Sequence, residues 1–280
     1  MGLRCFTVIV FYLFMAASVV ACKYQWLDNY DSTQTIASEI KPPEGFVRSE
    51  VEPNSFAAWL RGLPLRKKGT LVRMYNGLPK YNPRVAHRVI DMNIGDKDLL
   101  QCADAAIRLR AEYLYQQGEF DRIHFNFTSG DTASFRRWIN GYRPKINGNE
   151  VTWSKTAAID SSYDSFQKYL TTVYSYAGSY SLSRELKRVS DQNQIQPGDM
   201  FIEGGFPGHV VIVVDVAQPI DTADHGRLFL LVQGFTPAQD LHVLRNGEDD
   251  NLSPWYSTDY GSVLKTPEWE FPGTASYRFR

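Results

Sequence analysis

Two apolar patterns dominate the chain. The first has a helical period: over residues 96–117, Leu99, Cys102, Ala106, Leu109 and Tyr113 fall on one ridge. That spacing predicts a helix with Cys102 in its first turns, facing the core. The second is continuous. GHVVIVVDV, from Gly208, predicts an apolar strand with His209 at its start, and PGDMFIEGG and RLFLLVQGF predict two strands beside it. Upstream, SFAAWLRGLPL predicts a short helix capped by Asn54 or Ser55, and GTLVRMYNGLPK a strand ending in an Asn-Gly turn. VAHRVIDMNI predicts a further strand, FDRIHFNFTSGD a strand and turn, and residues 161–189 a long helix or a helix pair broken at Gly178. SPWYSTDYG and TPEWEF lack a period and are expected to be irregular. Helices come early and strands late, which is the α+β pattern. There is no internal repeat or heptad run.

The first residues follow a different rule. Arg4, the apolar stretch Phe6 to Val20 and the small-residue end before Cys22 predict a secretion signal over residues 1–21. Val-Val-Ala-Cys matches a bacterial lipobox, so Cys22 is the expected lipidation site and membrane lipid the expected partner. An ordinary signal peptide and an uncleaved anchor remain the alternatives. Residues 22–41 are polar and read as a tether, leaving residues 42–280 as one α+β domain.

Charge and cysteine usage narrow the chemistry. A net charge of −1 over 280 residues argues against nucleic acid as the main partner. The one basic cluster, LRGLPLRKKG, reads as a solvated turn. Of the three cysteines, Cys5 and Cys22 belong to the export segment. Cys102 then has no partner unless an unlipidated Cys22 bridges to it, and cysteine-based zinc sites are excluded.

An unpaired thiol at a helix N-terminus, followed about a hundred residues later by a histidine opening a strand, has the layout of a thiol hydrolase. Cys102 is the candidate nucleophile, with its pKa expected to be lowered by the helix end. His209 is the candidate base, and Gln233 on the next strand the candidate orienter of its ring. Gln101 is a candidate oxyanion donor. His87, His124, His225 and His242 are weaker candidates, Asp199 reads as a turn residue, and Gln239 and Asp215 are spare polar groups. Trp138, Tyr142, Tyr163, Tyr174, Tyr176, Trp255 and Tyr256 offer either a glycan or peptide platform or core packing. No Walker loop, dinucleotide fingerprint, HExxH or GxSxG is present, and no cofactor is implied.

Two resemblances attach to these segments. PGDMFIEGGFPGHVVIVVDVA and QCADAAIRLRAEYLY resemble the His-bearing strand pair and Cys-headed helix of NlpC-type cell-wall endopeptidases. That resemblance implies a papain-like core in which a Cys-bearing helix packs on an antiparallel sheet. It assigns nucleophile and base to Cys102 and His209 and the orienting role to Gln233. The chain departs from that pattern at Gln-Cys-Ala-Asp and in the long stretch between helix and His strand. SFAAWLRGLPL, QCADAAIRLRAEYLY, RRWINGYRP and SPWY…TPEWEF are similar to an uncharacterised lipoprotein family common in Bacteroidetes, domain of unknown function 4846. This second resemblance implies an extracytoplasmic setting and no established activity. Together they lead to the expectation of a lipid-anchored hydrolase acting on an amide bond, with peptidoglycan stem peptide as substrate. The alternative is a non-catalytic lipoprotein that binds glycan or peptide.

Overall fold

The computed structural model describes residues 23–221 and 226–280. The expected signal segment, Cys22 and His225 lie outside the described residues. Six α-helices appear among those described: α1 (Ile36–Glu39), α2 (Phe56–Arg61), α3 (Cys102–Gln116), α4 (Phe135–Ile139), α5 (Tyr163–Tyr176) and α6 (Ser179–Glu185). The strands are β1 (Phe46–Arg48), β2 (Ala86–Val89), β3 (His124–Asn126), β4 (Thr132–Ser134), β5 (Tyr142–Asn147), β6 (Glu150–Lys155), β7 (Lys187–Arg188), β8 (Met200–Glu203), β9 (His209–Pro219), β10 (Leu228–Gln233), β11 (His242–Leu244), β12 (Tyr256–Ser257), β13 (Val263–Lys265), β14 (Glu270–Pro272) and β15 (Ser276–Arg278).

The main sheet is antiparallel, in the order β2-β11-β10-β9-β8-β15-β7, with β1 added to β9 and β12 to β10. Its centre, β9, is apolar without a break from Val210 to Val214 because both faces are covered. Val210, Ile212 and Val214 enter the larger core, while Val211 and Val213 enter a second one with Phe201, Phe229 and Phe271. A register shift against β10 between Leu230 and Leu231 changes this alternation, so Val216 joins the second core and Ala217 the first. Helix α3 lies on β9 and β10, with Ala105, Ala106, Leu109 and Ala111 buried. The hairpins β3–β4 and β5–β6 and helices α4 to α6 follow α3 before the chain returns to the sheet. Thus α+β with a helix on an antiparallel sheet describes the molecule.

Several expectations change. Residues 24–40 are not a free tether. Tyr24 is fully buried against Trp26 and Trp59, and α1 is closed by a Thr35–Ser38 capping box. Three aromatics, Tyr24, Trp26 and Tyr30, supply the apolar surface that docks this segment. The basic cluster is only half solvated. Arg61 and Arg48 converge on the buried Asp215 at 2.7 and 2.6 Å, and Arg66 binds Asp240 at 2.9 Å. Asp215 therefore serves as an anchor tying β1 and α2 to β9. GTLVRMYNGLPK keeps its Asn76-Gly77 turn, with Gly77 at φ +82°. It forms only isolated bridges, Arg73 to Pro79 and Met74 to Gln239, in place of a strand. The C-terminal stretch is less irregular than expected: β13 and β14 form a hairpin and β15 joins the main sheet.

Candidate functional site

Helix α3 starts at Cys102, six residues later than the apolar period suggested. Gln101 is the extended N-cap, and its N–H donates to Asp104 Oδ2 at 3.0 Å. Leu99 and Leu100 continue the apolar spacing from the preceding loop, which explains the misplaced start. The helix start is held against β10 by Gly234: a Cβ there would lie 2.9 Å from the Gln101 carbonyl oxygen. On the other side Gly208 precedes His209, where a Cβ would lie 2.6 Å from the Glu203 carbonyl oxygen. Gly234 lets the end of β10 close on the N-terminus of α3, and Gly208 lets the start of β9 close on the end of β8 and the start of α6.

This convergence forms a cleft of about 640 Å³. Gln101, Cys102, Asp104, His209, Phe235 and Trp269 are among its lining residues. Cys102 and His209 therefore open on the same space. Cys102 is a free thiol. The backbone N–H of Val210, the residue after His209, favours its thiolate, as do the first N–H groups of α3. Among the described residues no hydrogen bond joins Cys102 Sγ to the His209 ring. Sequence alternation explains the offset: His209 lies on the face of the sheet that carries Val211 and Val213, and α3 on the opposite face.

Gln233 holds His209, with Oε1 3.0 Å from Nε2 of the buried ring. The ring is packed by Phe235, Trp269 and Phe271 at centroid distances of 5.1, 5.2 and 5.8 Å. Behind Gln233 a polar network continues. Gln233 Nε2 donates to Glu268 Oε2 at 2.7 Å and lies 3.3 Å from His242 Nε2. Glu268 Oε1 pairs with Lys80 Nζ at 2.7 Å, and Lys80 also donates to Gln239 Oε1 at 3.2 Å. Gln101 is engaged at both ends, donating to Asp98 at 3.0 Å and accepting from Thr236 at 3.1 Å. It keeps one amide hydrogen for an oxyanion.

Electrostatics overturn the expected thiol activation. Burial pushes the Cys102 thiol up to about 11, against the N–H groups that favour the thiolate and with the Asp104 charge adding to the rise. Burial also lifts Asp104 to about 8, opposed by its contact with the Gln101 N–H. Burial lowers His209 to about 4, against the Gln233 hydrogen bond and with the Lys80 charge contributing. At neutral pH the resting site therefore holds a thiol and a neutral imidazole.

The other sequence candidates fall elsewhere. Asp199 accepts from the Gln196 N–H and pairs with Arg278. His87 and His124 lie outside the cleft, and His242 stands behind Gln233. Of the proposed aromatic platform only Tyr174 lines the cleft; Trp138, Trp255 and Tyr256 are core residues. The other aromatics that line it are Phe206, 84 % exposed at the rim, with Phe235 and Trp269. Glu268 and Trp269 have no separate signal in the sequence beyond the aromatic-acidic PEWEF, and Lys80 has none beyond the turn segment GTLVRMYNGLPK. No group of three or more His, Cys, Asp or Glu among the described residues is arranged to hold a metal. No helix among them is long and apolar enough to cross a membrane.

A family model described as domain of unknown function (4846) matches residues 36–278. No curated protein and no solved structure matches the chain.

Proposed function

The chain belongs to the family described as domain of unknown function (4846), and on that premise we propose that it is a papain-like cysteine hydrolase of the bacterial cell envelope. In this reading lipid on Cys22 anchors it outside the cytoplasm, and it cleaves an amide bond in peptidoglycan stem peptides. The observation that carries the proposal is the opening of Cys102 and the Gln233-held His209 onto one cleft.

The mechanism starts from neutral partners. As Cys102 Sγ attacks the scissile carbonyl carbon, its proton passes to His209 Nδ1, whose Nε2–H is held by Gln233. The carbonyl oxygen takes the negative charge and is met by the N–H groups at the start of α3 and the remaining Gln101 amide hydrogen. Collapse of this intermediate breaks the C–N bond, and the imidazolium returns its proton to the leaving amine. Water then gives a proton to Nδ1 as it attacks the thioester, releasing a carboxylic acid and restoring the thiol.

Digestion of purified cell wall, with products read by mass, tests the proposal. The native protein releases new peptide products and Cys102→Ala releases none; absence of products from both removes the hydrolase reading. The second reading is a non-catalytic lipoprotein that binds peptide or glycan in the same cleft. The raised thiol pKa and the lack of a Cys102–His209 hydrogen bond favour it.

A further inference from the structure

We infer that Glu268, paired with Lys80, is a positioning residue that fixes the orientation of the Gln233 amide and, through it, the tautomer of His209. The consequence for catalysis rests on the hydrolase reading; the structural assignment does not.

Donor and acceptor roles decide the orientation. An amide has an NH₂ end that only donates and an oxygen that only accepts, and its orientation is read from its partners. Three groups surround the Gln233 amide: Glu268 Oε2 at 2.7 Å, His242 Nε2 at 3.3 Å and His209 Nε2 at 3.0 Å. Glu268 is bound to the Lys80 ammonium through its other oxygen, so it is a carboxylate and accepts. His242 Nδ1 lies 2.8 Å from the Asp240 carbonyl oxygen. A carbonyl accepts, so Nδ1 carries the proton. Burial keeps this ring neutral, which leaves Nε2 bare.

Two acceptors thus face one side of the amide. The nitrogen must point to them, and its two hydrogens serve both. Oε1 is left for His209, so His209 Nε2 must be the donor. Its ring is also neutral, and Nδ1 keeps the free lone pair. A flipped amide would set its oxygen against a carboxylate and a ring lone pair in a buried site. The remaining contacts support the same arrangement. Lys80 is itself buried, over the Phe235 ring at 4.6 Å, and Trp269, next to Glu268, packs on the His209 ring. The hairpin β13–β14 thus brings the controlling carboxylate to the back of Gln233 and a cover to the face of His209.

The test reads the His209 ring nitrogens by ¹⁵N NMR in the full chain at pH 7, without substrate. The native protein is expected to show a protonated Nε2 and a bare Nδ1; a protonated Nδ1 overturns the inference. In the Lys80→Glu/Glu268→Lys double variant the ion pair is kept but an ammonium faces the amide. A charged donor outweighs the neutral His242 contact, so the amide turns and the His209 proton moves to Nδ1. A purely structural ion pair would leave the tautomer unchanged, and that result overturns the inference. Should the exchanged pair fail to fold, Glu268→Gln removes the obligatory acceptor. It is expected to give a mixture of His209 tautomers, and a pure Nε2–H ring there overturns the role of Glu268. Where native protein digests cell wall, the exchange lowers kcat on the order of 10⁴-fold, as a wrong histidine tautomer does in a Ser-His-Asp triad. Product formation by native protein judges the hydrolase reading separately.

Discussion

The two walls of the cleft are built differently. On the histidine wall the polar groups behind the ring are linked in a chain, His209 to Gln233, Gln233 to Glu268 and His242, and Glu268 to Lys80, and only at its far end is a buried atom, Gln239 Nε2, without a hydrogen-bond partner. On the thiol wall Asp104 Oδ1 is buried without a hydrogen-bond partner, and Cys102 meets backbone N–H groups in place of a base. The first wall is organised before any ligand arrives. The second holds two acids that are mainly in their neutral forms at neutral pH. Buried polar groups that are fully paired fix one geometry, and unpaired ones mark where something is still to be accommodated.

The two walls should titrate in opposite directions. His209 and His242 are both lowered to about 4 by burial, so the unfolded chain binds more protons below its ordinary pKa of 6.5. Their contribution to stability is complete above pH 6.5 and is lost as pH falls towards 4; His87, also lowered to about 4, adds in the same sense. Asp104 does the reverse. Raised from 3.8 to about 8, it contributes stability below pH 3.8 that is lost as pH rises to 8. Native stability from these groups therefore peaks near pH 6.5. Asp104→Asn removes the opposing slope and extends the plateau to pH 8–9. With each tenfold difference in proton affinity worth about 1.4 kcal/mol, the gain at pH 8.5 is about 3–6 kcal/mol. Urea unfolding between pH 5 and 9 measures it, and an unchanged pH profile would erase the distinction between the walls.

The next largest effect comes from the organised wall. Gln233→Leu strands the His209 Nε2–H and the His242 lone pair in the interior. It should cost about 2–6 kcal/mol, at about 1–3 kcal/mol for each buried unpaired group. A loss below about 1 kcal/mol in urea unfolding would show that water already reaches this network. A smaller effect is expected from Trp269→Ala, which uncovers one face of His209. Water entering there raises the imidazole pKa from about 4 towards 6.5. An NMR titration of the ring reads the shift, and no movement would assign the low pKa to the deeper neighbours alone.

The same contrast explains what could be read from the residues. The α3 ridge and the β9 run are legible because each has a strong period or composition, and pairing β9 with β10 brings Gln233 towards His209. The start of α3 is not, because Leu99 and Leu100 are placed in a loop while keeping helical spacing. Glu268 and Lys80, and the place of the weaker candidate His242 behind Gln233, are hidden for another reason. Each sits in a short, aperiodic segment, and their meeting depends on the β13–β14 hairpin and on the loop before β2. The packed segment from Tyr24 to Tyr30 does carry a signal in its aromatics, which the polar residues between them obscure. The direction of the thiol pKa is not legible either, because the helix end is visible in the sequence and the burial that opposes it is not.

Whether His209 serves Cys102 is read from the alkylation rate of Cys102 across pH 5–11 in native protein and in a folded His209→Asn variant, with Cys102→Ala as the blank. At pH 7 native Cys102 is expected to react on the order of 10²-fold faster than in the variant, the scale of general-base assistance. Superimposable profiles, both rising only towards pH 11, would contradict it.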